Sequence, residues 1–235
     1  MYNELDIRLP REESMADARA TFLRRTYAHL AGAILAFIAI EALLLHVVNE
    51  SAVFALMGGG GMGFLVVMLA FMGASMLAQK LARSESSPGL QYVGLALYVV
   101  AEAVIFVPLL YICMHYSDPT LIPTAGILTL AVFGGLTVSV FVTKKDHSNL
   151  APILSVGSMI ALGVIVCACI FGFSLGLFFS FAMVALLSGY ILYETSMVML
   201  HFRTDQYVAA ALMLFSSVAT LFWYILRIMM ELNRK

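Results

Sequence analysis

Four ionisable side chains stand inside long apolar stretches of the sequence: Glu41, Glu102, Glu194 and Arg227. A charge at the centre of a lipid bilayer costs at least ~2.5–3.5 kcal/mol on insertion scales. Such side chains are expected to face the interior of a helix bundle, where they pair with one another or line water. The chemistry they offer is proton exchange or cation binding by the carboxyls, and anion pairing by the guanidinium.

Glu194 lies about five residues before the end of an apolar run, and no basic residue is close to it in the sequence. Two interpretations stay open. A buried carboxyl without a cationic partner can titrate near physiological pH or bind a cation. Alternatively, hydroxyls such as that of Ser217 hold the carboxyl, and it has no part in ion movement.

Polar residues form a stripe along the last apolar run. Successive spacings of three and four residues place them on one helical face, and the stripe consists of Ser217, Thr220, Tyr224, Arg227 and Glu231. The stripe is either a set of interhelical hydrogen bonds or the wall of a water or ion path. Glu102 and Glu41 are both candidate partners for Arg227 by their depth, and the sequence does not choose between them.

The elements that position these residues are predicted to be membrane helices. Hydrophobic residues make up 62% of the 235 residues and charged residues 11%, and the mean hydropathy is +0.97, whereas a soluble domain is about 25% charged. A membrane helix needs ~20 mostly apolar residues. Seven runs qualify, at 28–48, 57–79, 91–114, 121–143, 151–171, 175–199 and 207–230. We therefore predict an all-α membrane protein with a charged tail at 1–27 and one seven-helix domain at 28–235.

Basic residues predict the orientation, because Lys and Arg concentrate in cytoplasmic loops. Ten lie in the N-terminal tail and in the loops on its side: Arg8, Arg11, Arg19, Arg24, Arg25, Lys80, Arg83, Lys144, Lys145 and Arg203. The opposite loops hold none, and the C-terminal tail holds Arg234 and Lys235. The N-terminus is expected in the cytoplasm and the C-terminus outside, in a multi-pass protein of a bacterial inner membrane. The run from Gly58 to Gly61 is expected to break or re-enter at the start of span two.

Enzymatic function is not expected. The segment Gly172–Gly176 reads Gly-x-Ser-x-Gly, but a nucleophile elbow needs a strand-to-helix turn and this segment joins two membrane helices. The five His are not paired at metal-ligand spacing, and the three Cys form no Cys-x-x-Cys. The charge balance of 13 basic and 14 acidic residues argues against nucleic-acid binding, and no cofactor is expected.

Small residues recur every four positions in three spans, and such stripes are typical of close helix contacts in membranes. The three stripes begin at Ala28, Ala70 and Ala131.

Four stretches carry a resemblance to a known family: FLRRTYAHLAGAILAF, VFVTKKDHSNL, SGYILYETSMVML and LFWYILRIM. Together, in this order, they resemble the transmembrane Bax inhibitor motif family, also called the Bax inhibitor-1 or YccA-like family. The resemblance implies a central seventh helix wrapped by two layers of three helices. It also implies a pH-sensitive calcium leak in which two carboxylates, on helices six and seven, share a proton.

The match to the family's functional residues is partial. Glu194 takes the first carboxylate position, and the second falls at Ser217, which is not an acid. The family also has a second-helix Glu that latches the seventh-helix Arg, whereas span two of this chain has no acid, so Glu102 or Glu41 would have to substitute.

A non-conducting adaptor is the alternative function. Some relatives engage membrane proteases or other membrane proteins, and the charged N-terminal tail would then be a contact segment. The expected partners are the lipid bilayer and, for the adaptor, such a membrane protein. Ion flux in proteoliposomes separates the two functions.

Overall fold

The computed structural model describes residues 4–57, 61–84 and 87–234, with side chains described from residue 15 and, after the first gap, from residue 63. Within these ranges the secondary structure is helical. A short 3₁₀ turn, Ser148–Leu150, precedes α6. The α-helices are α1 Glu4–Val47, α2 Glu50–Leu56, α3 Gly61–Ala82, α4 Pro88–Tyr116, α5 Leu121–Thr143, α6 Ala151–Phe171, α7 Gly176–Leu200 and α8 Tyr207–Asn233.

The seven predicted spans are confirmed as helices. Among the described residues, seven helices are long and apolar enough to cross a membrane, namely α1 from Met15 onward and α3 to α8. The C-terminal ends of four spans lie one to three residues beyond the apolar runs, because the helices continue into polar interfacial residues. Pro88 begins α4 at the first-turn position that proline favours.

Two features of the chain before span two differ from the prediction. The segment predicted as a charged tail is helical from Glu4 and continues without a break into span one. A seven-residue helix, α2, follows span one and is capped by Asn49, whose side chain accepts a hydrogen bond from the backbone N–H of Ala52 at 3.0 Å. The predicted break at Gly58–Gly61 falls largely outside the described residues.

The seventh span, α8, is the central helix, as predicted. Of its most apolar stretch, 72% is buried, against 6–50% for the other spans. In one layer α4 packs against α1 and α3, and in the other α7 packs against α5 and α6. α8 lies between the two layers and contacts α1, α3, α4, α5 and α7, while α6 packs chiefly on α3 and α7.

The predicted small-residue contacts are only partly correct. Ala78 and Ala82 of α3 are buried against α4, where a Cβ added to Gly94 would lie 2.5 Å from the Ala78 carbonyl oxygen. The stripes that begin at Ala28 and Ala131 are exposed on the outside of the bundle. The prediction of contacts for those two stripes is wrong, because four-residue spacing defines a helical face without saying what the face meets.

The two ends of the bundle have different charge. The basic end, where α1 enters and α3, α5 and α7 finish, carries Arg19, Lys80, Arg83, Lys144 and Arg203. At the opposite end, α6 and α7 are joined by a turn in which Gly172 and Gly176 have positive φ values of 73° and 62°. Ser174 therefore lies in a helix-to-helix turn and not in a strand-to-helix elbow.

Candidate functional site

Glu194 lies in α7 toward the basic end and faces the central helix. Its side chain is only 7% exposed. The Ser217 hydroxyl of α8 is within hydrogen-bonding reach of the carboxyl, so the structure brings together the two residues that the sequence paired. One carboxyl oxygen, Oε2, has no hydrogen-bond partner among the described residues, which leaves it available to water or a cation.

A polar cavity of about 120 Å³ reaches Glu194 from the basic end. Gln79 and Arg83 of α3 form its outer part and are exposed, whereas Glu194 and Ser216 line its inner part. This volume is enough for several water molecules. The buried carboxyl therefore has a short route to the surface at the basic end.

A hydrogen-bonded chain links this site with a second buried carboxyl. The Tyr98 hydroxyl donates to Glu102 Oε1 at 2.9 Å and lies 2.7 Å from Ser216 Oγ. Because the single Tyr98 proton is directed to Glu102, the Ser216 hydroxyl donates to the Tyr98 oxygen. Tyr98 and Glu102 are 3% and 4% exposed. Since Ser216 and Ser217 are adjacent, the chain joins the surroundings of Glu194 on α7 to Glu102 on α4.

An aromatic cluster closes the interior beyond Glu102. Phe106 lies one helical turn further along α4, and its ring centroid is 4.9 Å from that of Trp223 and 5.8 Å from that of Phe222. Phe37 of α1 packs edge-on to Phe106 at 5.1 Å. The polar chain therefore ends against packed rings.

A larger cavity, about 900 Å³, lies on the other side of this cluster. Trp223 and Arg227 line it together with Pro108 and residues of the α6–α7 turn. Trp223 thus belongs both to the aromatic cluster and to this cavity. These two cavities open toward opposite ends of the bundle, and the rings of α4 and α8 lie between them.

The predicted pairing of Arg227 with Glu102 or Glu41 is wrong. Arg227 is half-buried, and none of the ion pairs and hydrogen bonds among the described residues involves its guanidinium. Glu102 is held by Tyr98, and Glu41 lies in a separate cavity between α1 and α5. Glu102 lies on the basic-end side of the aromatic cluster, whereas Arg227 lines the cavity beyond it.

The other residues of the predicted stripe bond less between helices than expected. The Thr220 hydroxyl donates to the Ser216 carbonyl of its own helix at 2.8 Å. Tyr224 is buried, and its ring packs against Phe179 with centroids 6.1 Å apart. Within the stripe Ser217 makes an interhelical contact, with Glu194, and Ser216 beside the stripe makes another, with Tyr98. A search for hydroxyls at the depth of Tyr98 could have found it.

Arg19 fixes the N-terminal helix to the end of α7. Its guanidinium donates to the carbonyl oxygens of Val198 at 2.7 Å, Met199 at 2.9 Å and Phe202. These carbonyls belong to a helix C-terminus, which attracts cations and has acceptors without intrahelical partners. Sequence reasoning assigned this arginine only to the orientation signal.

The α5–α6 loop also contacts the C-terminal end of α7. His201 Nε2 lies 3.3 Å from Asp146 Oδ2, and the backbone N–H of His147 donates to Ser196 Oγ at 3.1 Å. The N–H of Ser148 holds the pKa of the Asp146 carboxyl below its ordinary value. The loop that follows α5 is therefore fastened to the end of α7 near Glu194.

Comparisons with known proteins match most of the chain to one family. The family model described as "Inhibitor of apoptosis-promoting Bax1" matches residues 19–234. An uncharacterized protein of Neisseria meningitidis serogroup A is 28% identical over 188 residues, which cover 77% of this chain and 78% of the relative. Mouse protein lifeguard 4 is 30% identical over 128 residues, 51% of each chain. An uncharacterized protein of Pseudomonas aeruginosa is 34% identical over 110 residues, 46% of this chain and 49% of the relative.

Proposed function

The chain is an integral membrane protein of the Bax inhibitor-1 family, and from that premise we propose that it is a pH-sensitive cation leak that passes calcium. The observation that carries the proposal is Glu194, a buried carboxyl with an unpartnered oxygen at the inner end of a polar cavity. Buried carboxyls in membranes are expensive and are typical of ion and proton pathways.

The path runs from the basic end toward the aromatic cluster. A cation enters beside Gln79, meets Glu194 and Ser217, and continues along Ser216 and Tyr98 to Glu102. The rings of Phe106 and Trp223 then close the path, so the structure corresponds to a closed state of the proposed leak. Opening requires α8 to move relative to α4, after which the second cavity completes the route.

Protonation of Glu194 supplies the pH response. A deprotonated carboxylate attracts a cation and accepts a hydrogen bond from Ser217, whereas the neutral acid loses the charge that holds the cation. Glu102 supplies a second carboxyl, which is reached through Tyr98 and Ser216. The family, in contrast, places its second acid on the seventh helix. The pair in this chain therefore spans α7 and α4.

The basic end is assigned to the cytoplasm of a bacterial cell, and the membrane to the inner membrane. Lys and Arg in short loops face the cytoplasm, and two of the similar proteins come from bacteria with two membranes. The polar cavity of Glu194 then opens to the cytoplasm.

Calcium and proton flux into liposomes, measured from about pH 5 to pH 8, tests the proposal. Glu194→Gln is expected to abolish the pH response, because it keeps the shape of the side chain and removes its proton exchange. Ser217→Asp is expected to add a like charge beside Glu194 and to shift the pH response upward. Flux with an unchanged pH profile in Glu194→Gln would contradict this role for Glu194.

Asp118→Asn is the matched control. The Thr120 hydroxyl and backbone N–H hold the pKa of the Asp118 carboxyl below its ordinary value. The stability from such a carboxyl is complete above its unfolded value of ~3.9 and is lost as the pH falls through the lower folded value. Its charge is therefore constant over the assay range, and its removal should leave the pH profile unchanged. Wild-type protein that passes no ions would favour the adaptor function instead.

A further inference from the structure

A cavity of about 750 Å³ lies between α1 and α5, in the half of the bundle away from the basic end. α1 and α5 each pack on α8 and have no extensive contact with each other. Ile38 of α1 and Ile127 of α5 line the cavity and are 56% and 72% exposed on the lipid-facing surface. The cavity therefore opens sideways, toward the acyl chains of the bilayer.

Glu41 is the one acidic side chain among the residues that line this cavity. It is 4% exposed, and neither carboxyl oxygen has a hydrogen-bond partner among the described residues. The nearby Thr129 hydroxyl is not available to it, because it donates to the Ala125 carbonyl of its own helix at 2.7 Å. A buried carboxyl without a partner is costly, and a bound cation would remove that cost.

The surroundings of Glu41 select the kind of cation. Calcium takes six to eight oxygen ligands, and the part of the chain with described side chains has no group of three or more His, Cys, Asp or Glu that could hold a metal ion. The remaining walls are mostly apolar and include Phe37, Leu110 and Phe222, while the exposed His46 also lines the cavity. A single carboxyl in such walls complements one ammonium group on a long apolar body, and the cavity volume is within the ~300–1,000 Å³ of ordinary ligand sites.

We propose that the α1–α5 cavity is a binding site for long-chain alkylammonium ions. The ammonium group donates hydrogen bonds to Glu41, and the alkyl chain lies against the apolar walls and extends through the opening into the bilayer. The site is distinct from the path of Glu194, because Glu41 lies on the other side of the α4–α8 aromatic cluster and lines a different cavity.

Photolabelling tests this site directly. The full chain in phosphatidylcholine nanodiscs is labelled with a dodecylamine that carries a diazirine on its chain, and the labelled residues are identified by mass spectrometry. Wild-type protein is expected to be labelled on α1 and α5. Dodecylamine is expected to compete with the label about tenfold or more better than dodecanol, because hydrogen bonds to a charged group change an affinity by at least that factor. Glu41→Gln is expected to reduce saturable labelling by a similar factor.

Two glycines of α5 provide a matched pair of variants. Gly126 lines the cavity, and a Cβ added there meets nothing within 4 Å, so Gly126→Leu is expected to fill the cavity and prevent labelling while the protein folds. Gly135 is equally open but does not line the cavity, and Gly135→Leu should be labelled like the wild type. Equal labelling of wild type and Glu41→Gln, equal competition by dodecanol, or no saturable labelling would each overturn the proposal.

Discussion

Arg227 illustrates the limit of what residue positions in the sequence can predict. Its depth in the sequence matched that of two carboxyls, yet the structure places it beside Trp223 on the wall of the 900 Å³ cavity, away from both. Depth follows from the rise of a helix, ~1.5 Å per residue, but the direction of a side chain around the helix depends on how the bundle packs. Glu194 and Ser217 could be paired from the sequence, because the family motif places both positions.

Removal of the Arg227 charge is expected to increase cation flux rather than unfold the protein. A fixed positive charge in a cavity on the path repels cations, and relief of ~1 kcal/mol of repulsion raises a rate about fivefold. Arg227→Leu in the liposome assay should therefore conduct about five times faster than wild type, with a similar melting temperature.

Arg234→Leu is the control for this charge, because Arg234 is exposed at the end of α8. It should conduct as wild type does. A marked fall in the melting temperature of Arg227→Leu, together with lost flux, would instead reveal an essential ion pair of the guanidinium.

At the scale of the helices, the contact between α4 and α8 is the barrier of the proposed path. Phe106 is 2% exposed and meets two rings of α8 and one of α1. Apolar constrictions of this kind exclude water and hydrated ions. Phe106→Ala is expected to raise calcium flux severalfold and to keep its dependence on pH, because protonation of Glu194 still removes the charge that holds the cation.

The matched variant for this helix contact is Phe178→Ala, since Phe178 of α7 is 88% exposed on the outside of the bundle. It should leave flux unchanged. If Phe106→Ala lowers flux while the protein remains folded, the rings support the path and do not close it.

The sequence predicts which segments form membrane helices, but it does not predict which face of each helix is buried. The seven spans follow from runs of ~20 apolar residues, and the family resemblance correctly predicts that α8 is central. The N-terminal part of α1 is missed because its charged composition resembles a tail, and α2 because seven residues are too few to show a period. The exposed stripe from Ala131 to Ser139 has the same spacing as a buried one, so only the packing of neighbours distinguishes them.

For the whole molecule, an odd number of spans places the two chain ends on opposite sides of the membrane. The basic end carries the described Lys and Arg of the loops, whereas the opposite loops at 117–120 and 172–175 have none. This difference in the number of Lys and Arg residues between the loops of the two ends sets the orientation of a multi-pass protein, because basic loops are retained in the cytoplasm. The C-terminus after α8 is therefore expected outside the inner membrane.

Reporter fusions measure this orientation. Alkaline phosphatase fused after Arg234 or at Asp118 should be active, because it folds only in the oxidising periplasm, and a green fluorescent protein at the same places should be dark. At Asp146, in the loop that ends beside α7, the fluorescent fusion should be bright and the phosphatase inactive. Activity at Asp118 together with an inactive C-terminal phosphatase would mean that α6 and α7 do not both cross, since only four residues, 172–175, connect them. The reverse pattern at all three sites would invert the bundle, and the Glu194 cavity would then open to the periplasm.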